Sequence, residues 1–183
     1  MKSIFVDTTN LLTIGILDDN QNWLSFKTIE TSKTSSVLHK VIEDQLLESS
    51  TKKTDINGFI YMAGPGSYTG MRVAEGIANI FEWQGLKIYN LYHFDVPRLL
   101  GEEKYCWKAN AYKNETFLYE YEMGKESKSL VASSSKLDAY EYENTISMIE
   151  KSPSIIFGKV IDNEIKKELF YYRNIEEEFQ KAK

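Results

Sequence analysis

The sequence predicts a mixed α/β fold in which three meandering strands lead into alternating helices and strands. Three observations carry that expectation. Between residues 4 and 29, three short strand-like runs, the second alternating apolar with polar or small residues, are separated by turn signals. Over 35–49 and again over 67–84, apolar residues recur at helical spacing. Between those stretches Phe59-Ile60-Tyr61-Met62 forms an apolar run that ends in a glycine-rich loop.

Taken in order, Ile4-Phe5-Val6 reads as a first strand and Asp7-Thr8-Thr9-Asn10 as the turn that ends it. Leu12, Ile14 and Ile16 alternate with Thr13 and Gly15 in a second strand. Asp18-Asp19-Asn20 signals the next turn, and Trp23–Ile29 a third strand. Val37, Leu38, Val41, Ile42 and Leu46 give the helix over 35–49 its apolar face. The run 59–62 is a buried fourth strand. Gly64 to Gly70 is a tight loop, 67–84 a long helix with Gly85 as its stop, and 86–91 a fifth strand. The order through residue 91 is β-β-β-α-β-α-β, which demands a mixed sheet with helices on its faces.

The second half is less regular. Residues 105–111 and 116–123 read as strands joined by a polar turn at Lys113-Asn114, with a third strand over 129–132. Ser133-Ser134-Ser135 is read as the cap of a helix running to Ile149. Ile155-Ile156-Phe157 is read as a short strand ended by Gly158, before a final helix or extended tail. A boundary within 92–101 divides the chain into an N-terminal subdomain, 1–92, and a smaller one, 93–183. There is no internal repeat, low-complexity tract or flexible linker.

Composition narrows the function classes. The chain has 183 residues, 42% of them hydrophobic, enough to bury a core, and its aromatic share of 13% excludes a disordered segment. The formal net charge is -5. Residues 1–93 carry eight Lys/Arg against ten Asp/Glu and residues 94–183 fourteen against seventeen, so neither half is basic. A tight grip on nucleic acid needs clustered cations to neutralise phosphates. Direct nucleic-acid binding is therefore not expected, nor is attachment to an anionic membrane. Cys106 is the single cysteine, which forbids an intrachain disulfide and fits a reducing compartment. The apolar run before Asp7 is too short for a secretion signal or a bilayer span, so a cytoplasmic protein is expected. His39 and His93 are the only histidines and form no paired-ligand motif, so no metal site is expected.

The most informative stretch is Gly64-Pro65-Gly66-Ser67-Tyr68-Thr69-Gly70-Met71-Arg72. Glycines let a backbone turn sharply after a strand, and Ser67 or Thr69 can cap the following helix. Amide groups at a helix start attract anions. The known phosphate motifs nevertheless fit badly. A P-loop needs Gly-Lys-Ser/Thr where this chain has Gly70-Met71-Arg72, and the GxGxxxG spacing departs from the dinucleotide fingerprint. A tight, well-capped strand-to-helix turn is the plainer reading.

The nine residues from Gly64 to Arg72 resemble the glycine-loop motif of the TsaB (YeaZ) family, Gly-Pro-Gly-Ser-Phe/Tyr-Thr-Gly-hydrophobic-Arg. Ile4-Phe5-Val6-Asp7-Thr8 is similar to that family's opening strand. Thr54-Asp55-Ile56-Asn57 leads into the fourth strand as it does there, and Tyr171-Tyr172-Arg173 resembles its terminal segment. The resemblance is close to about residue 92 and patchy beyond. Asn110-Ala111-Tyr112 stands where the family often has Asp-Ala-Arg, and a helix usual in the second half is cut short between Phe157 and Leu169. The resemblance implies a ribonuclease H-like fold of the actin and sugar-kinase superfamily, with the second subdomain reduced. It also implies a non-catalytic subunit in the synthesis of threonylcarbamoyladenosine on transfer RNA, next to the anticodon.

Related enzymes hold nucleotide phosphates with an Asp-x-Gly hairpin, and Asp7, Thr8 and Thr9 occupy that place here without the glycine. The implied partners are the catalytic subunit TsaD and the ATPase TsaE, or a second copy of the chain when alone. No cofactor is implied for the chain by itself, ATP entering only at the level of the complex. The helix over 67–84 carries Arg72, Glu75, Asn79 and Glu82 in one polar stripe and more apolar surface than one sheet face requires. That surplus can be covered by the 35–49 helix or by another subunit. The resemblance places an interface at Lys40, Glu43, Arg72, Val73, Glu75, Ile77 and Asn79. Two alternatives stay open: a nucleotide-hydrolysing or kinase-like enzyme of the same fold, and a degenerate paralogue that only self-associates.

Overall fold

The computed structural model describes residues 1–31, 33–111, 114–132 and 139–172. Five strands form the first sheet: β1 (Lys2–Asp7), β2 (Leu12–Leu17), β3 (Trp23–Ile29), β4 (Ile56–Met62) and β5 (Lys87–Leu91). Their order is β3-β2-β1-β4-β5. The first three are an antiparallel meander, whereas β4 and β5 run parallel to β1 and to each other. Parallel neighbours need crossovers, which α1 (Thr34–Glu48) and α2 (Tyr68–Trp83) supply. This is the mixed sheet expected from the element order.

Both sheet faces are buried, which is why the central strands read as continuous apolar runs. Ile4, Val6, Phe59 and Tyr61 point to one face and meet Leu38, Ile42, Leu46, Ala74 and Ala78 of α1 and α2. Phe5, Ile60 and Met62 alternate to the opposite face. That second face is covered by α3 (Val96–Leu99), α4 (Tyr142–Lys151) and α5 (Pro153–Asp162). The chain leaves the first sheet after Leu91, and α4 and α5 return from later in the sequence to pack on that sheet.

A second sheet, β6 (Lys104–Asn110), β7 (Glu115–Glu122) and β8 (Lys125–Ala132), is antiparallel throughout. Its inner face joins Trp107, Phe117 and Tyr119 to Phe94, with Tyr142, Phe170 and Tyr172 around them, in an aromatic core of its own. Phe94 and Tyr119 stack at 4.2 Å. Such rings bury large areas and add pairwise attraction on top.

Three expectations for the second half are corrected. Ile155-Ile156-Phe157 is not a strand but part of α5. Pro153 in the first turn favours a helix start, and Ile156, Phe157 and Val160 share the buried side at i, i+1 and i+4. Gly158 lies inside that helix. The helix expected to run from the serines starts only at Tyr142, where Glu141 and Asn144 cap each other's backbone amides; Ser133, Ser134 and Ser135 lie outside the described residues. The strand expected over 129–132 begins at Lys125, because Met123 and Gly124 both take positive φ (46° and 89°) in a two-residue hairpin turn. Of the polar turn, Asn114 is left-handed (φ 60°) and Lys113 lies outside the described residues.

Two predictions follow from these cores. In α5, Ile156→Ala removes a fully buried side chain and should cost about 2–5 kcal/mol in a urea titration, whereas Ile155→Ala, half-exposed, should cost about 0.5 kcal/mol.

The aromatic core also sets an alkaline limit. Burial, reinforced by the Asp95 and Glu168 charges, pushes Tyr92 up to about 12, and burial first of all also raises Tyr105, Tyr119 and Tyr142. Unfolded tyrosines ionise near about 10, so above that pH the unfolded chain loses protons that the folded one retains. Stability should therefore hold below about pH 10 and fall as pH rises toward the folded values. The tyrosinate absorbance of these four residues should appear together with loss of fold and not before it.

Candidate functional site

The site is built where β1 ends against the loop before α2. Ser67 caps α2, its hydroxyl accepting from the Gly70 amide at 3.2 Å. Of the two caps open from the sequence, the structure uses Ser67. The loop is pressed onto the turn after β1. The Ser67 amide donates to the Thr9 carbonyl (2.7 Å), and the Thr8 hydroxyl donates to the Gly70 carbonyl (2.6 Å). A Cβ at Gly66 would strike the backbone of Thr9, and one at Gly70 would strike the Thr8 carbonyl. The glycines are there to admit the chain's own backbone. The Gly64–Pro65 bond is cis.

Asp7 and His93 form a buried pair beneath this loop. The Asp7 carboxylate lies 3.1 Å from His93 Nε2 and accepts from the Thr9 amide at 2.8 Å. The Thr9 hydroxyl lies 2.8 Å from the same His93 nitrogen. His93 also packs on Trp107 (5.9 Å, stacked) and edge-on to Tyr142 (5.0 Å). Its own amide donates to the Gly64 carbonyl at 2.9 Å. One residue thus joins the first strand, the loop and the aromatic core. Sequence reasoning saw His93 only as an isolated histidine, because its partners are 84 and 86 positions away.

The geometry limits the chemistry. A hydroxyl nucleophile needs a base whose second nitrogen is oriented by a carboxylate. Here hydroxyl and carboxylate approach the same nitrogen, and among the described residues His93 Nδ1 is buried without a hydrogen-bond partner. The arrangement ties the first strand, the loop and the aromatic core together. Among the described residues, no group of three His, Cys, Asp or Glu converges as a metal site, and no helix is long and apolar enough to cross a membrane.

A cleft of about 860 Å³ opens beside the tie, lined by Thr9, Asn10, Gly66, Ser67 and Tyr68 on one side and by Lys108, Asn110, Glu141, Tyr142 and Tyr172 on the other. Of the hairpin residues Asp7, Thr8 and Thr9, only Thr9 lines it; Asp7 and Thr8 face into the protein. Within the loop motif, Gly66, Ser67 and Tyr68 line the cleft. Gly64 and Pro65 are buried behind it, Gly70 is buried against Thr8, and Thr69 and Arg72 are exposed.

The residues at which the resemblance places an interface lie on α1 and α2. Lys40 pairs with Asp44 at 3.2 Å, and Glu43 lies 3.8 Å from His39. Val73 and Ile77 are half-buried against the α1 side of the core, Glu75 is half-buried, and Asn79 is exposed. Arg72 sits 5.9 Å over the Tyr171 ring. The apolar surplus of α2 is thus partly covered within the chain, while Ile80 (54% exposed) and Trp83 (89%) remain open, with Leu47 (81%) on α1. Arg173, from the terminal segment, lies outside the described residues.

No protein-family model matches the chain. Over 112 residues, 60% of its length, it is 31% identical to the tRNA threonylcarbamoyladenosine biosynthesis protein TsaB of Escherichia coli; the match spans 46% of that protein, just under half. Its fold is similar to YeaZ from Pseudomonas aeruginosa, with a TM-score of 0.57 and 16% identity, covering 76% of this chain and 73% of that one. It is also similar to an uncharacterised protein described as resembling the peptidase YeaZ from Pseudomonas aeruginosa. That TM-score is 0.63 at 14% identity, covering 94% of this chain and 99% of the other. The sequence match is to a TsaB protein, the family whose motif the glycine loop resembles, and the solved structures show a shared fold.

Two substitutions test the tie. Gly70→Ala forces a methyl into the Thr8 carbonyl and should cost about 3 kcal/mol or more by chemical denaturation. His93→Ala strips the Asp7 carboxylate of a buried partner and leaves a cavity, and should cost about 3–5 kcal/mol by the same measurement.

Proposed function

From the likeness to the TsaB/YeaZ family, we propose that this chain serves the synthesis of threonylcarbamoyladenosine on transfer RNA as a non-catalytic subunit that holds a TsaD-type catalytic partner. The observation that carries the reading is the self-filled glycine loop. A glycine loop at a helix start suits an anion; here Thr8 and Thr9 occupy its approach and its first amide faces the chain's own Thr9 carbonyl. The buried histidine is a tie and not a base. Open apolar surface lies instead on α2, where Ile80 and Trp83 stand beside the polar stripe. The acidic charge of the chain leaves transfer-RNA contact to the partner. The chain works without a cofactor of its own, in the cytoplasm, with a TsaE-type ATPase joining the assembly.

The test is co-elution with TsaD from the same organism on a sizing column. A stable heterodimer supports the reading; absence of a complex, with and without ATP and TsaE, refutes it. Charge reversal at both Arg72 and Glu75 should weaken the complex about tenfold or more while leaving the melting temperature within a few degrees. A nucleotide titration of the isolated chain separates this reading from a kinase-like enzyme, which would bind ATP with saturation.

A further inference from the structure

After α5 the chain runs extended along the outer edge of β5 and then over the glycine loop. Its first part is stitched to the first sheet. The Asn90 amide donates to the Ile165 carbonyl (3.1 Å), the Lys167 amide to Asn90 Oδ1 (2.5 Å) and the Phe170 amide to the Ala63 carbonyl (2.8 Å). Lys166 pairs with Glu82 of α2 at 2.7 Å and Lys167 with Asp95 at 2.8 Å.

The next two residues are held differently. Among the described residues, Phe170 makes the last backbone hydrogen bond of this segment. Tyr171 is held by an edge-on contact with Tyr68 at 5.0 Å and by Arg72 above its ring. Tyr172 reaches the opposite wall, packing on Phe117 at 5.3 Å, with its hydroxyl 3.2 Å from that of Tyr142. Tyr142 in turn donates to the Pro65 carbonyl at 3.1 Å. Adjacent residues therefore grip opposite sides of the cleft, Tyr171 through α2 and Tyr172 through β7 and α4. Ring contacts and a hydroxyl pair are individually weak beside a ladder of backbone hydrogen bonds.

We propose that Tyr171 and Tyr172 form a latch that closes the cleft between the two sheets and opens without unfolding either sheet. Because Tyr68 and Arg72 of α2 hold one side of the latch, contact made with that flank of α2 is transmitted to the width of the cleft. This inference concerns the chain alone and stands apart from any role in a complex.

The test measures cleft width directly. Asn10 lies between β1 and β2 of the first sheet and Asn110 ends β6 of the second, both lining the cleft, so nitroxide labels on Asn10→Cys and Asn110→Cys, in a Cys106→Ser background, report its width by double electron–electron resonance on the full chain. The parent should give one short-distance population. Tyr171→Ala with Tyr172→Ala should raise a longer-distance population about tenfold or more, and Tyr172→Phe, which removes only the hydroxyl pair, by less. Unchanged distances in both variants overturn the latch. Loss of cooperative thermal unfolding in the double variant overturns it too, because the segment would then be core.

Discussion

Two stretches of backbone, the turn after β1 and the loop before α2, lie closer together than any side chain at Gly66 or Gly70 would allow. Much of the molecule is arranged around that contact. It fixes the start of α2 relative to β1, and with it the packing of Ala74 and Ala78 on the central strands. It also decides what the loop can do. A glycine loop at a helix start is suited to an anion, but here the approach is filled by Thr8 and Thr9, and the same motif becomes an internal joint.

The Asp7–His93 pair lies under this joint and extends it. A buried polar pair is costly unless its members satisfy one another, and once satisfied it favours one arrangement over its neighbours. His93 meets Asp7 and Thr9 from the first strand and turn, accepts the stacking of Trp107 and stands edge-on to Tyr142. The two sheets are thereby held at one shared residue, with the cleft beside it. Among the described residues Nδ1 has no hydrogen-bond partner, a desolvation cost that the pair's other contacts offset.

Much of this was legible in the sequence, and the exceptions have physical causes. The first sheet and its helices were readable because alternation and helical spacing are strong there and turns are marked by Asp, Asn and Gly. The loop's place was readable from its glycines. Its closure by Thr8 and Thr9 was not, because those contacts span some sixty positions and leave no local pattern. Ile155-Ile156-Phe157 misled because a short apolar run suits a strand or a buried helix equally, and Pro153 was the signal that decided it. The hairpin at Met123-Gly124 was hidden because a methionine stands where Asn or Asp usually announces the turn. His93 was invisible as a site residue for the same reason as the loop closure: its partners come from the far end of the first subdomain.

The three tryptophans occupy three different environments: Trp107 is fully buried against His93, Trp23 is half-buried among Phe5, Phe26 and Phe157, and Trp83 stands almost wholly in water on α2. An indole's emission colour follows the polarity around it, so the unmodified protein carries its own optical probes. The red edge of its fluorescence belongs to the α2 surface, and the blue edge to the interior around the cleft. Events at those two places are separable by wavelength in a single spectrum.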